Sequence, residues 1–251
     1  MAKFVFRDIC IYYEGRDLSG ELSSLNLEYG AETPDATTLR DTARRRLPGL
    51  LDVSSTHTGW WDSDPLGNTA ADIDLDLFNS VAANPGLVSA SINGGAVGEV
   101  SYSWQALTAE YSPGNTVGEV FQFTFNTTGD SRLVRGEVLN NSTHIVTANT
   151  AKSSGPGAAG ATDTIYSIVH VYAASGTSPT LDVVLESDAD ASAGGEVTRI
   201  THTQFTGVGA ELLTLAGPVT DTFWRHTFTI GGGSPSFTIY SAVAIIPTSG
   251  Y

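Results

Sequence analysis

Val120-Phe121-Gln122-Phe123-Thr124-Phe125 is the stretch that decides the fold class. Successive side chains of a β-strand point to opposite faces, so the three phenylalanines share one face while Gln122 and Thr124 share the other. One apolar and one polar face is typical of a half-buried antiparallel strand. The stretch therefore predicts a mainly β protein.

The same period of two recurs towards the N-terminus. Residues 100–104 set Val, Tyr and Trp against two serines, and residues 25–29 set Leu, Leu and Tyr against Asn and Glu. Ser112-Pro113-Gly114-Asn115 is a turn sequence, so residues 98–128 are predicted to form a long β-hairpin.

Two segments before this hairpin depart from the strand pattern. In residues 71–83 the apolar side chains follow helical spacing until Asn84-Pro85-Gly86, which predicts one helix. Residues 30–50 are polar and follow neither period. Because loops of about twenty residues without structure of their own are usually functional or ordered by a partner, we expect residues 30–50 to make an intermolecular contact.

The second half of the chain predicts another set of strands. Small and polar residues over 141–163 indicate a loop or linker. Beyond it, strand patterns with the spacing of a β-sandwich occur at 164–173, 180–187, 197–205, 210–216, 222–230 and 236–246. We therefore predict one domain over 1–140, with a β-sandwich or barrel and one helix, and a second, β-sandwich domain over 164–251.

Composition excludes several classes of protein. The 251 residues hold 27 acids against 12 bases, a net charge of −15, with one Cys and five His. Such a chain is a poor electrostatic binder of nucleic acid, forms no internal disulfide and has too few ligands for a structural zinc site. The sequence has no apolar run long enough to span a membrane and no secretory signal, so synthesis and folding in a cytoplasm are expected.

No motif predicts catalysis. The histidines lie one to a strand-like segment without paired ligand spacing, and we expect structural roles for all five: His57, His144, His170, His202 and His226. Cys10, between two isoleucines, is expected to be a small core residue. Paired carboxylates for hydrolysis depend on tertiary geometry and stay open. We predict no catalytic residue, no cofactor and no metal.

Acidic and aromatic clusters each allow two interpretations. Asp72–Asp76 resembles the opening of a calcium loop but fits a helix start better, and residues 188–196 offer oxygen ligands but fit a hairpin tip better. The pairs Trp60-Trp61 and Phe223-Trp224 could stack on a sugar, although alternating strands favour core positions for them.

Arg44-Arg45-Arg46 is a dense positive patch within the loop at 30–50. Guanidinium groups pair with carboxylates in bidentate fashion, and the chain as a whole is acidic, so a neighbouring subunit is a better partner than nucleic acid. The predicted subunit or ring interface consists of Asp35, Thr37, Asp41, Arg44, Arg45 and Arg46.

The order of these segments resembles a known family. Asp17–Tyr29 (DLSGELSSLNLEY), then Asp35-Ala36-Thr37-Thr38, then Leu47-Pro48-Gly49-Leu50 before Gly59-Trp60-Trp61-Asp62, resembles the start of major tail (tail tube) proteins of long-tailed bacteriophages. The resemblance covers about the first 140 residues. Residues 170–181 and 221–237 resemble a β-domain that recurs in structural proteins of tailed viruses.

The resemblance implies a virion structural protein without enzymatic activity. Its subunits would form hexameric rings that stack into a hollow tail tube, with DNA only as passing cargo and no membrane contact. Other tail proteins, such as the tape measure and the tail terminator, would be its partners. It would be made in the host cytoplasm and reside in the virion tail, with the second domain on the tube exterior.

Physical reasoning agrees with this family. Closing strands from several subunits into one barrel removes exposed sheet edges, and an acidic wall lets DNA slide because it repels phosphate. Glu28, Glu99 and Glu119, expected on polar strand faces, are the candidates for the lumen. The main alternative is a virion decoration or tail adaptor protein with a carbohydrate-binding β-sandwich, in which Trp224 would contact the sugar; a polysaccharide hydrolase is a more distant one.

Overall fold

The computed structural model describes residues 8–62, 73–145, 155–192 and 194–247, with the backbone alone described for 142–145. The protein is mainly β, as predicted. Its elements in chain order are β1 (Cys10–Tyr13), β2 (Arg16–Asp17), β3 (Leu22–Ala31), β4 (Leu51–Trp60), α1 (Ile73–Ser80), β5 (Gly86–Ser91), β6 (Val100–Pro113), β7 (Gln122–Gly129), β8 (Val134–Ile145), β9 (Asp163–Asp188), β10 (Val197–Thr201), β11 (Gly209–Ala216) and β12 (Phe223–Pro247). Within the described ranges, no helix combines the length and apolar character that a membrane crossing needs.

The described chain divides into two compact units, each built from separate segments. Unit 1 takes residues up to Ser19, Leu87–Ser103 and the residues from Val134 onwards, while unit 2 takes Gly20–Gly86 and Trp104–Leu133. These units differ from the predicted domains over 1–140 and 164–251. Composition suggested a linker from residue 141, but β8 continues to Ile145 and pairs with β12. Residues 146–154 of that predicted linker lie outside the described residues.

Unit 1 is organised around one long ribbon. β9 and β12 pair in antiparallel fashion from Asp188↔Phe223 to Asp163↔Pro247, so each merges two of the predicted strands. The register shifts in the middle of the ribbon, where Gly176 has a φ of 118°. A Cβ there would lie 2.8 Å from the carbonyl oxygen of Ser234, so both the conformation and the space require glycine.

The two halves of the ribbon pack on one another. Ile165 and Val243 from one half lie in the same buried cluster as Leu185 and Trp224 from the other. β10 pairs with the second half of β9, and β11 pairs with the first half. Unit 1 therefore buries a core between the two halves of the ribbon.

A second core in unit 1 lies on the other face of β9 and β12. Tyr12 of β1 stacks on Tyr240 of β12 with ring centroids 4.6 Å apart. Ser101 and Ser103, predicted to face solvent, are both 1% exposed. Their hydroxyl groups have buried partners: Tyr240 Oη donates to Ser101 Oγ at 2.6 Å, and Ser103 Oγ lies 2.8 Å from Ser89 Oγ. Burial of a hydroxyl is tolerated because it is hydrogen-bonded.

Unit 2 is a sheet in the order β3, β4, β7 and the part of β6 from Trp104 onwards. Phe123 and Phe125 are buried on its inner face, as the alternation predicted, and β6 pairs with β7 in the predicted hairpin. Phe121 precedes β7 and is 43% exposed.

One helix packs in unit 2. Leu77 is its buried residue, and Ser80 Oγ donates to Thr108 Oγ1 of β6 at 3.0 Å. The prediction placed the helix at 71–83; residues 71 and 72 lie outside the described residues, and α1 ends at Ser80 because Val81 forms a β-bridge with Thr108.

Candidate assembly surfaces

The outer face of the unit 2 sheet carries polar side chains on all four strands, together with the exposed apolar residues Trp60 and Leu107. We call the polar part of this surface the polar face, and it includes Ser24, Asn26, Glu28, Asp52, Ser54, Thr56, Thr58, Glu110, Thr124, Asn126 and Thr128. The sequence places no Lys or Arg in β3, β4, β7 or residues 104–113. The charges on the polar face are therefore negative only.

Amide groups hold two of these carboxylates in place. Asn26 Nδ2 donates to Glu28 Oε1 at 3.1 Å, and Asn126 Nδ2 donates to Glu110 Oε2 at 3.0 Å. The hydroxyl oxygens of Thr58 and Thr124 lie 3.4 Å apart across the sheet. Both donors are neutral amides, so neither adds a positive charge to the polar face.

Of the three predicted lumen residues, Glu28 alone lies on the polar face. Glu99 precedes β6, lies in unit 1 and accepts a hydrogen bond from Asn93 at 2.9 Å. Glu119 lies in the turn between β6 and β7. The expected placement of Glu99 and Glu119 on strand faces is wrong. β6 begins one residue after Glu99, at Val100, and β7 begins three residues after Glu119, at Gln122. Asp52 and Glu110, which sequence reasoning missed, occupy polar positions of the same alternating pattern.

β3 forms one border of the unit 2 sheet. Among the described strands it pairs only with β4, which leaves its other edge without a β partner. The strand covers Leu22–Ala31, and Tyr29 is 40% exposed. A long exposed edge is a template for pairing with another strand.

Residues 32–50, which we call the arm, extend the β3–β4 hairpin. The N–H of Glu32 donates to the carbonyl of Leu50 at 2.9 Å, and the N–H of Ala36 donates to the carbonyl of Arg45 at 2.9 Å. As predicted, no helix or strand lies between Ala31 and Leu51, but these hydrogen bonds and the bridge between Asp35 and Arg46 give the loop an ordered hairpin course. Nearly every side chain of the arm is exposed, so no apolar periodicity marks its two sides.

The predicted interface residues divide into two groups within the arm. Asp35 Oδ1 accepts from the N–H of Thr37 at 2.9 Å, and Asp41 Oδ2 accepts from the N–H of Thr38 at 2.7 Å. The hydroxyl and N–H of Thr37 hold the pKa of Asp35 below its ordinary value. Asp35, Thr37 and Asp41 thus shape the tip of the arm.

The arginines of the arm point into solvent. Arg40, Arg44, Arg45 and Arg46 are exposed, and their guanidinium groups make no hydrogen bond or ion pair with another described residue. By sequence, unit 2 holds 14 acids and 5 bases over 20–86 and 104–133. Four of those bases and three of those acids lie in the arm, which leaves 11 acids and 1 base in the rest of the unit. The arm is therefore the positive part of a strongly negative unit.

Unit 1 contains a buried polar chain that the sequence did not reveal. His202 and His226 have ring centroids 6.1 Å apart, and Ser167 Oγ lies 2.7 Å from Nε2 of His202 and 2.8 Å from Nε2 of His226. The chain continues from His202 Nδ1 to Glu211 Oε2 at 2.8 Å and from His226 Nδ1 to Ser241 Oγ at 2.9 Å. One proton order satisfies every link: Ser241 donates to His226, His226 to Ser167, Ser167 to His202 and His202 to Glu211.

Ser167, His202 and Glu211 have the spacing of a nucleophile, a base and an orienting carboxylate. However, Ser167 is 0% exposed, so substrate does not reach its hydroxyl. Burial lowers the pKa of His202 against the opposing effect of Glu211, and burial together with nearby His202 lowers the pKa of His226 well below its ordinary value. Both rings are neutral at pH 7, and the buried polar chain that they belong to has a structural role.

The remaining histidines with described side chains are also buried. His57 Nε2 lies 2.6 Å from Ser55 Oγ, and His170 Nε2 lies 2.9 Å from Ser89 Oγ. Burial lowers the pKa of each ring to about 3. The expected structural role holds for these four histidines, while the side chain of His144 lies outside the described residues.

Trp224 and the acidic segment 188–196 both make contacts within the fold. Trp224 is 0% exposed and donates from Nε1 to the carbonyl of Gly157 at 2.7 Å, so it has no surface to offer a sugar. The acidic segment joins β9 to β10, and Glu196 pairs with Arg225 at 3.2 Å. Of the residues described, no three His, Cys, Asp or Glu side chains are grouped to hold a metal.

Asp74 and Cys10 have the structural roles expected of them. Asp74 Oδ1 accepts from Trp61 Nε1 at 2.9 Å near the start of α1, and Asp72 lies outside the described residues. Cys10 is half-buried in β1, and burial raises the pKa of its thiol.

Comparison with known proteins identifies no family by sequence. No protein-family model and no curated protein matches the chain. Among solved structures, the chain is similar to a chain in the virion of a native gene transfer agent particle, with 16% identity, a TM-score of 0.37 and coverage of 52% of this chain and 97% of that one. It is also similar to a chain in the tube-terminating cap of the anti-feeding prophage, with 14% identity, a TM-score of 0.41 and coverage of 55% and 93%.

A third similar chain comes from the phage p2 baseplate in its activated conformation. It has 10% identity and a TM-score of 0.34, with coverage of 94% of this chain and 97% of that one. TM-scores of this size are too low to assign a shared fold.

Proposed function

We propose that the protein is a tail tube protein, which assembles into stacked hexameric rings that enclose a channel for DNA. The observation that carries the proposal is the polar face, a four-stranded sheet surface with hydroxyl, amide and carboxylate groups and no basic group. Such a surface repels phosphate and offers it no cation to hold, which is what a conduit for DNA needs.

The edge of β3 supports closure of this sheet between subunits. Its ten residues, Leu22–Ala31, lack a β partner on one side among the described strands. Pairing this edge with a strand of the next subunit would join the sheets into a barrel and would line its inside with polar faces. The arm, with its exposed arginines, would contact a further acidic subunit or ring.

The carbohydrate-binding alternative loses its main residue, because Trp224 is buried. We propose no enzymatic activity for the chain. The oligomer would reside in the virion tail, with the tape measure and the tail terminator as further partners.

The purified chain is expected to form rings with a central hole, or tubes built from such rings. Closing the β3 edge and burying exposed apolar groups both favour assembly. Negative-stain electron microscopy at increasing protein concentration, together with sedimentation velocity, measures this. A species that remains monomeric over the whole range would refute the proposal.

Reversing the charge of the polar face is expected to make tubes retain DNA. Glu28→Lys with Glu110→Lys replaces two negative charges on the channel wall of each subunit by two positive ones, and each phosphate contact made would release counterions. Filter binding of short duplex DNA should rise for this variant and fall again as salt is raised. Glu119→Lys with Asp190→Lys makes the same change in net charge at exposed positions outside the polar face and should bind little DNA. Equal binding by the two variants would argue against the polar face as the lumen.

A further inference from the structure

Helix α1 exposes a row of apolar side chains. Leu75 is 41% exposed, Phe78 is 66% exposed and Val81, just after the helix, is 40% exposed. Residues three apart lie on the same side of a helix, so Leu75 and Phe78 form one surface. An apolar row of this kind on a helix is a candidate surface for contact with another chain.

The arm exposes apolar side chains as well. Leu39 is fully exposed, Leu50 is 78% exposed and Leu47 is 52% exposed. Along the sequence, Leu39 directly precedes Arg40 and Leu47 directly follows Arg46. The arm thus offers leucine contacts bordered by positive charge.

The two surfaces are complementary in charge. Residues 73–80 of α1 contain Asp74 and Asp76 and no Lys or Arg. The arm contains four arginines without a partner among the described residues. Asp74 and Asp76 are half-buried, and Asp74 accepts from Trp61 and Tyr111, so the match in charge rests on the excess of acids in α1 and not on exposed carboxylates. The leucines and arginines of the arm therefore match an apolar surface on an acidic helix.

The arm does not reach α1 of its own chain. α1 begins beside Trp61, which directly follows β4. It ends beside Thr108, which pairs with Thr127 across the sheet, and Thr127 in turn pairs with Ser55 of β4. The arm continues from the opposite end of β4, beyond Leu51. Counted along the strand from the row of Ser55, Leu50 lies about five residues or roughly 17 Å away, and the Ala36–Arg45 pair lies about nine residues or roughly 30 Å away.

We infer that the arm of one copy docks on α1 of a neighbouring copy, with the leucines of the arm against Leu75 and Phe78. The inference rests on the proposed self-assembly and names the surface that receives the arm. A contact between two different surfaces of the same chain is heterologous, so it joins copies head to tail and can propagate round a ring or from ring to ring.

Cross-linking between differently substituted chains tests this contact. In a Cys10→Ser background the chain has no other cysteine. Chains carrying Leu39→Cys, Leu47→Cys or Leu50→Cys are each mixed with chains carrying Phe78→Cys, assembled, and treated with a short bismaleimide. We expect a covalent dimer in at least one of the three mixtures. Val97→Cys, which is 59% exposed in unit 1, replaces Phe78→Cys in the control and should give none.

A second variant measures the strength of the contact. Phe78→Asp is expected to raise the protein concentration needed for assembly by about tenfold or more, because an aromatic contact is lost and a charge is placed opposite leucine. Val97→Asp should leave that concentration unchanged, and circular dichroism checks that both variants are folded.

The outcomes separate the inference from the proposed function. Rings or tubes without any arm-to-helix cross-link, and with normal assembly of Phe78→Asp, would overturn the docking site while leaving the tube proposal standing. Absence of any assembly of the unsubstituted chain would overturn both.

Discussion

Changing Arg44, Arg45 and Arg46 together to glutamate is expected to abolish rings and tubes while the protomer stays folded. The change converts the arm from a net charge of +1 to −5, since the arm holds four bases and three acids. The acceptor surface belongs to a unit with 11 acids and 1 base outside the arm, so an attractive contact becomes a repulsive one. We expect the concentration needed for assembly to rise by roughly 100-fold or more.

Sedimentation velocity and electron microscopy measure the loss of assembly, and circular dichroism measures the fold. The three guanidinium groups are exposed and have no partner among the described residues, so their reversal should leave thermal unfolding of the protomer nearly unchanged. The triple change to lysine is the matched control, because it keeps the charge and removes only the bidentate geometry. Normal tubes from the glutamate variant would show that the arm is not an assembly contact.

Acidification from pH 7 to pH 5 is expected to destabilise the protomer by about 4 kcal/mol through two buried histidines alone. Burial lowers the pKa of His57 and of His170 to about 3, whereas the unfolded chain has the ordinary value of about 6.5. Below about pH 6.5 the unfolded state therefore binds more protons than the folded state. Stability is fully present above that pH and falls as the pH drops towards 3, by about 2 kcal/mol for each ring at pH 5.

Urea unfolding at a series of pH values measures this dependence. His57→Gln and His170→Gln keep a nitrogen able to bond to Ser55 or Ser89 but do not titrate, so each should remove about 2 kcal/mol of the difference between pH 7 and pH 5. NMR titration of the ring carbons of His57 and His170 in the unsubstituted protein gives the same answer without a variant. Rings that titrate near pH 6.5 in the folded protein would contradict the expectation.

The sequence predicts elements well where one face of a strand meets water. Phe123 and Phe125 lie buried as the alternation at 120–125 requires, and the hairpin of β6 and β7 follows from it. The same rule fails at Ser101 and Ser103. Their burial depends on Tyr240 and Ser89, and no local pattern indicates a hydrogen-bond partner 139 residues away.

The structure of the arm and the buried polar chain could not be predicted from the sequence, for related reasons. The arm is a hairpin-like loop with water on both sides, so its residues follow no apolar period, although the dense arginines at 44–46 did single it out. His202 and His226 are 24 positions apart, and only the folding of the β9–β12 ribbon brings both to Ser167. Residues that no local sequence pattern marks acquire their roles from tertiary contacts.

The position of β12 in unit 1 has a consequence for the timing of folding. β12 follows every other strand that the structure describes, yet it lies between β9 and β8 in the sheet. As the chain emerges from a ribosome, β8 and β9 must therefore wait, with unpaired edges, until Phe223–Pro247 has been synthesised. Contacts between such distant segments form slowly, and exposed edges invite association between nascent chains. Folding of unit 1 is complete only after its central strand has been translated. A ribosome-bound chain stopped before residue 223 would therefore be the species in greatest need of a chaperone.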